Sequence, residues 1–188
     1  MVKKPQQIRA NEWLSDTLPS LLDEYDEENI FNVDETALFY KALPNGTYTY
    51  ASEKPEGRKE QKERLTVVLL CNMAGTYKEV FVIGKVKKSR CFQEKKIPLP
   101  YFFNKKGWMI GSLWTKILLD LDKRMLEMDR KIILFAGNAP CHVLAEDTVL
   151  QNLKIYFLPV NTTTIGQLLD QGIIKAFKSG YRKKIILE

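Results

Sequence analysis

The stretch Lys131–His142, KIILFAGNAPCH, contains a run of apolar residues that ends in a glycine, an asparagine and then a proline. A short apolar run followed by turn-forming residues is typical of a buried strand that leads into an exposed loop. Loops in that position often carry the catalytic side chains of α/β enzymes. Here the first loop residue is Gly137, which has no side chain.

The composition favours one globular domain without a membrane span. The chain has 188 residues, of which 45% are hydrophobic, and this is enough for a sizeable core. No segment approaches the roughly 20 apolar residues of a membrane span, and the N-terminal MVKKPQQIRA lacks the apolar run of a signal peptide. Three cysteines without a CxxC pair indicate neither a disulfide framework nor a zinc site.

Charge is distributed unevenly along the chain. The formal net charge is +6, yet the segment from Asp23 to Asp34 is strongly acidic, so the basic excess lies further along. Clustered cations can hold a polyanion by Coulomb attraction and counterion release, although solvated surface lysines are the alternative. The residues predicted to contact nucleic acid are Lys85, Lys87, Lys88, Arg90, Lys175, Lys178 and Arg182.

Apolar runs predict the strands of one mixed sheet. A central strand is expected from Ile30 and to end at Asp34, and Asn72 and Gly75 favour a turn in a following hairpin. A smaller β segment is expected at Thr47–Ala51, whereas Lys85–Lys106 has the composition of an irregular surface loop. The remaining strands are predicted at Leu65–Cys71, Glu79–Gly84, Lys131–Ala136 and Leu153–Val160.

Helical periodicity predicts the covering layers. A lead-in helix is expected over Asn11–Tyr25, broken or kinked by Pro19. Ser112 can cap a long helix whose apolar stripe is Trp114, Ile117, Leu118, Leu121 and Met125.

Two further helices are expected in the second half of the chain. One is a short connection at about Leu144–Leu150, and the other runs from about Leu169 to Ile186. In the last helix Asp170 shares the sheet-facing side with Ile173, Ile174, Phe177 and Tyr181.

Three positions line up with a known family: Asp34, Gly137 and Asp170. At these residues the chain resembles the DDE domain of the pogo/Tigger transposases and of host proteins derived from them, including the jerky proteins and centromere protein B. The matching segments are IFNVDETALFYK, KERLTVVLLCNMAG, NKKGWM, GNAPCH, IYFLPVNTTTIGQLLDQGII and FKSGYRKK.

The resemblance implies an α/β, RNase H-like fold, with a mixed five-stranded sheet flanked by helices. Residues 1–29 would form a helical lead-in, and residues 30–188 the DDE superfamily endonuclease-like domain, short at its C-terminal end. The paired helix-turn-helix domains of these proteins are expected further upstream. A nuclear location and DNA as partner are implied as well.

The family's chemistry requires converging carboxylates. Two divalent cations about 3.5–4 Å apart activate the attacking oxygen and stabilise the leaving one, and Mg²⁺ prefers carboxylate oxygens. By resemblance Asp34 would bridge both ions, a carboxylate at position 137 would hold one, and Asp170 the other.

The second carboxylate of that set is replaced in this chain. The family's Asp-Asn-Ala is Gly137-Asn138-Ala139, so we expect impaired Mg²⁺ binding and lost or severely slowed cleavage. Glu35 should point to the opposite face of the strand, and Glu146 or Asp147 is a weak substitute. A proline of the family is also replaced, by Leu168, which loosens the entry to the last helix.

Simpler interpretations remain open for several residues. Asp34 could be structural, Asp170 could be a helix N-cap, and His142 could be a hydrogen-bonded residue that orients the loop. Trp108 and Trp114 fit packing better than base stacking.

The expected function is weak, salt-sensitive and sequence-tolerant DNA binding by a catalytically inactive domain. One alternative is residual metal-dependent nuclease or transposase activity. The other is a protein-interaction scaffold.

Overall fold

Six strands form one mixed sheet in the computed structural model, which describes residues 13–41, 63–87, 92, 97–159 and 169–187. The strand order is β4-β3-β2-β1-β5-β6. Among the described strands, β2 alone is antiparallel to its neighbours. The carboxyl ends of the other five therefore meet at one edge, here called the carboxyl edge. The strands are β1 Ile30–Leu38, β2 Leu65–Asn72, β3 Lys78–Gly84, β4 Tyr101–Phe103, β5 Ile132–Ala136 and β6 Leu153–Phe157.

Three α-helices cover the sheet: α1 Leu18–Asp23, α2 Gly111–Glu127 and α3 Ile174–Leu187. A π-helical turn, Trp13–Thr17, precedes α1, and a second one, Leu169–Ile173, precedes α3. Pro19 lies in the first turn of α1, directly after the junction with the first π-helical turn. The lead-in segment therefore changes from π-helical to α-helical geometry next to Pro19.

The two faces of the sheet bury separate clusters. Trp114 and the rest of the predicted stripe of α2 pack on the face that carries Phe31 and Val33 of β1, as expected. The opposite face, which carries the even-numbered residues of β1, packs against α1 through Ile30 and against α3 through Leu38. We call these the α2 face and the α3 face.

The number of strands and the start of α2 correct the sequence prediction. The sheet has six strands rather than five, because Tyr101–Phe103 pairs with the end of β3 inside the predicted loop. Three residues are too few to give a periodic signal. Ser112 is not the cap of α2, since Ile110 holds that position without a side-chain capping bond. The strand expected at Thr47–Ala51 lies outside the described residues.

The helix expected at Leu144–Leu150 is also absent, because side chains of α2 bind backbone amides in this segment and directly after it. Thr115 Oγ1 accepts a hydrogen bond from the amide of Ala145 at 3.0 Å. Asp122 Oδ1 accepts two more, from Gln151 and Asn152. These long-range bonds replace the local bonds of a helix.

None of the described helices is long and apolar enough to cross a membrane.

Candidate metal and nucleic-acid site

Asp34 lies in the middle of β1 and not at its end, which corrects the sequence prediction. The parallel pairing with β5 covers only Ile30–Val33, whereas the antiparallel pairing with β2 continues to Leu38. Asp34 is thus the first residue of β1 beyond its parallel neighbour. Its half-buried carboxylate accepts a hydrogen bond from the amide of Glu35 at 2.9 Å.

Gly137 follows β5 at the level of Asp34. The last parallel pair is Val33 with Ala136, so the next residue of each strand is Asp34 and Gly137. The carbonyl oxygen of Gly137 accepts a hydrogen bond from the amide of Ala139 at 3.0 Å. The position beside Asp34 therefore offers a backbone carbonyl that is already bonded, and no carboxylate.

His142 fixes this loop to the α2 face. Its imidazole is 5% exposed and stacks on Trp114 with 4.0 Å between ring centroids. Nδ1 lies 2.6 Å from the carbonyl oxygen of Gly137, which can only accept, so Nδ1 carries the proton. Nε2 lies 3.0 Å from Oε1 of Glu35. The structural interpretation of His142 is confirmed, with Glu35 as its anchor.

This arrangement favours the imidazolium. Burial lowers the pKa of His142, but the hydrogen bond and charge of Glu35, the Gly137 carbonyl and the charge of Asp34 together raise it above its ordinary value. With Nδ1 occupied, a neutral ring would turn a lone pair on Nε2 towards the Glu35 carboxylate. Glu35 does project from the face opposite Asp34, as expected, and it positions the Gly137 loop through His142.

The turn that carries Asp170 contacts β1 from the α3 face. The amide of Leu169 donates a hydrogen bond to Oδ1 of Asn32 at 3.2 Å, and Asn32 shares its face of β1 with Asp34. The turn that carries Asp170 is therefore anchored on the side of the sheet to which Asp34 belongs.

The side of the helix that faces the sheet differs from the prediction. Leu169 is buried at 1% exposure, whereas Asp170 and Ile173 are exposed. Gly172, with φ 138°, kinks the chain inside the π-helical turn, two residues before α3, so helical spacing cannot be extended across it. Beyond the kink the prediction is confirmed, since Ile174, Phe177 and Tyr181 pack on the sheet.

The basic residues form two separate groups. Asp170, Lys175, Lys178 and Arg182 line one open pocket of about 400 Å³ along α3. Lys85 and Lys87 follow β3 at the carboxyl edge. Lys88 and Arg90 lie outside the described residues.

The described residues do not provide the ligand set of a two-cation site. No group of three or more aspartate, glutamate, histidine or cysteine side chains among them could hold a metal ion. Glu146 and Asp147 are exposed, and the bond from Ala145 to Thr115 keeps their segment against α2, away from the face of Asp34.

Trp108 is exposed, whereas the sequence favoured packing over base stacking for both Trp108 and Trp114. The indole is 53% exposed, and the Arg64 guanidinium carbon lies 4.5 Å from the ring centroid. Trp114 is fully buried, as expected. Gly107 and Met109 on either side of it are buried, so the side chain of Trp108 points outward. No local sequence pattern indicates this exposure.

Sequence comparisons identify the relatives. The family described as DDE superfamily endonuclease matches residues 62–188. Tigger transposable element-derived protein 4 of Mus musculus is 31% identical over 93% of this chain and 34% of its own length. CENP-B homolog protein 2 of Schizosaccharomyces pombe is 33% identical over 88% of this chain and 34% of its own length. Major centromere autoantigen B of Homo sapiens is 30% identical over 90% of this chain and 28% of its own length. The chain thus spans about a third of these relatives.

Solved structures show the same fold. The Mos1 mariner paired end complex with Mn matches with a TM-score of 0.64 and 13% identity, over 96% of this chain and 50% of that one. The catalytic domain of Mos1 mariner transposase matches with a TM-score of 0.57 and 12% identity, over 96% of this chain and 74% of that one. The sheet and its helices therefore have the RNase H-like arrangement of that catalytic domain. The chain belongs to the DDE superfamily endonuclease family, as a transposase-derived domain of the pogo/Tigger type.

Proposed function

We propose that this domain binds nucleic acid and has lost two-cation phosphodiester cleavage. The observation that carries the proposal is Gly137 at the level of Asp34, where the family chemistry needs a second carboxylate. Without that ligand, one cation loses an anionic partner, and the charge of the scissile phosphate is less well compensated. Asp34 and Asp170 are then remnants of the site, and its affinity for Mg²⁺ is impaired.

The loop around Gly137 supports this proposal. Its backbone is held in place by His142 and Glu35 although position 137 supplies no ligand. A held loop keeps the shape of the site while the chemistry is gone. Restoring the carboxylate is therefore a direct test of what the shape still permits.

Binding requires less than cleavage. Lys175, Lys178 and Arg182 line one pocket with Asp170, and cations in such a row attract phosphates without any metal ion. Contacts to phosphates carry no sequence information. We therefore propose weak binding that depends on salt and tolerates any sequence, with DNA in the nucleus as the natural partner.

The test restores the missing ligand by Gly137→Asp and measures nicking of plasmid DNA with Mg²⁺ or Mn²⁺. The original chain should not cut, and Gly137→Asp should cut only when metal is present. Gly137→Asn is the matched control, because it adds a side chain of similar size without charge. Asp34→Ala, added to the restored variant, should abolish cleavage.

Other outcomes contradict specific parts of the proposal. Cleavage by the original chain that Asp34→Ala abolishes would establish residual nuclease activity. A restored variant that binds no metal in calorimetry would mean that more than one ligand has decayed. Partner proteins retained at high salt, with no DNA binding at low salt, would favour the scaffold alternative.

A further inference from the structure

We propose that a second surface, at the carboxyl edge beyond β2, β3 and β4, binds unpaired nucleic acid by stacking a base on Trp108. This inference rests on the proposed nucleic-acid binding and goes beyond it by naming the strand state that the surface recognises. The surface is defined by Arg64, Lys85, Lys87, Phe103, Lys105, Lys106 and Trp108, and we call it the Trp108 surface.

Aromatic and basic side chains alternate on this surface. Arg64 lies over the Trp108 ring at 4.5 Å from its centroid, and the Lys87 ammonium lies 5.9 Å from the Phe103 ring. Trp108 is 53% and Phe103 45% exposed. Any of the bases can stack on an exposed aromatic ring, while the adjacent cations hold the phosphate backbone. Sites for single-stranded nucleic acid commonly combine these two features.

The cations of the Trp108 surface form no salt bridge among the described residues, and Lys85 acts on Glu63 only at longer range, through its charge. None of Arg64, Lys85, Lys87, Lys105 and Lys106 takes part in any of the salt bridges there. The neighbouring carboxylate of Glu63 is bonded to Lys41 and Tyr40 instead. The positive charge is thus available to phosphates, and it complements nucleic acid rather than an apolar or cationic partner.

The backbone under Trp108 is held in a fixed geometry. Asn104 Nδ2 donates to the carbonyl of Trp108 at 2.6 Å, and Asn104 Oδ1 accepts from the amide of Gly107 at 2.8 Å. Thr66 Oγ1 donates to the carbonyl of Gly107 at 2.7 Å. Gly107 has φ +65°, and a Cβ added at this position would lie 3.0 Å from Cγ of Lys85. Because this backbone is already held, less conformational freedom is lost when a base stacks on the side chain that it carries.

The Trp108 surface is separate from the remnant metal site. Leu38 pairs with Leu65, next to Arg64, and lies four residues beyond Asp34, which is about 13 Å along the strand. Thr66, which binds Gly107, shares the α2 face with Val68 of β2, whereas Asp34 lies on the α3 face. Loss of the carboxylate at position 137 therefore leaves this surface intact.

Tryptophan fluorescence tests the stacking directly. Of the three tryptophans, Trp13 is 7% and Trp114 0% exposed, so quenching by a ligand reports Trp108. A short oligo(dT) strand should quench the original chain but not Trp108→Leu. The same substitution should weaken binding of this strand by roughly one order of magnitude, with little effect on a duplex of equal length. Trp108→Phe should retain most of the affinity.

Controls separate this inference from the proposed function. Phe157→Leu replaces another aromatic residue, 40% exposed on β6, and should leave binding of oligo(dT) unchanged. Equal affinity of Trp108→Leu and the original chain for oligo(dT), with duplex binding intact, would overturn the stacking site alone. Failure of the original chain to bind either probe at low salt would overturn the proposed function as well. The thermal midpoint of each variant verifies that it is folded.

Discussion

The pair formed by His142 and Glu35 shows how two side chains can hold the loop that follows a strand. The two residues are 107 positions apart in the chain, so no local pattern predicts their contact. The histidine in the GNAPCH motif was nevertheless recognisable, and its role as the residue that orients the loop is now explained by its two hydrogen bonds.

Replacement of His142 should destabilise the fold. His142→Ala leaves the Gly137 carbonyl and the Glu35 carboxylate without their partner and opens a void against Trp114. We expect a loss of about 2–4 kcal/mol in the free energy of unfolding, measured by urea denaturation. Val143→Ala, at a neighbouring residue that is 61% exposed, should change it by less than about 0.5 kcal/mol. Equal effects of both substitutions would contradict the anchoring role.

The raised pKa of His142 predicts a dependence of stability on pH. Because the folded state binds this proton more tightly than the unfolded state, the contribution is complete below the unfolded pKa of 6.5 and is lost as pH rises through the higher folded value. The free energy of unfolding should therefore fall across this range. In Glu35→Gln, which removes the charge that raises the pKa, the fall should be smaller. An equal fall in both proteins would assign the effect to other groups.

Among the elements, those with strong periodic patterns were predictable and those set by distant contacts were not. The five strands with apolar runs and helix α2 follow from the sequence, since burial on one or both faces imposes their spacing. The helix predicted at Leu144–Leu150 was wrong because side chains of α2 bind backbone amides in and directly after this segment. The exposure of Asp170 was missed because Gly172 shifts the helical phase.

The kink before α3 can be tested by replacing two glycines, Gly172 and Gly180, each by alanine. Gly172 has φ 138° and no heavy atom within 4 Å of a Cβ placed there, so Gly172→Ala meets backbone strain alone. We expect a loss of about 1–3 kcal/mol in stability. Gly180 lies inside α3 with open space around it, and Gly180→Ala should stabilise by about 1 kcal/mol. Thermal denaturation measures both, and the same sign for both would refute the kink.

At the scale of the whole molecule, the fold class was predictable because the family motifs fix the order of the elements, and the Mos1 structures have the same arrangement. The positions of the basic residues were predictable only as sequence clusters. Their division into a row along α3 and a separate group at the carboxyl edge depends on how β3 and α3 are placed by the sheet. That division determines how the net charge of +6 can act on a polyanion.

The row on α3 predicts a specific change in salt dependence. Replacing Lys175, Lys178 and Arg182 together by glutamine should weaken binding to duplex DNA at low salt and reduce the slope of log affinity against log salt by about 2–3, because each lost phosphate contact removes about one released counterion. Fluorescence anisotropy over a salt series measures this slope.

A variant with the same net charge shows whether position or total charge matters. Lys123, Lys131 and Lys154 are exposed; Lys131 and Lys154 lie at or near the start of β5 and β6, away from the row on α3. Replacing these three by glutamine should leave the slope nearly unchanged, because charges farther apart than the Debye length of roughly 10 Å contribute little. If both triple variants lose the same slope, the domain attracts DNA through its overall charge, and the pocket along α3 has no special part in binding.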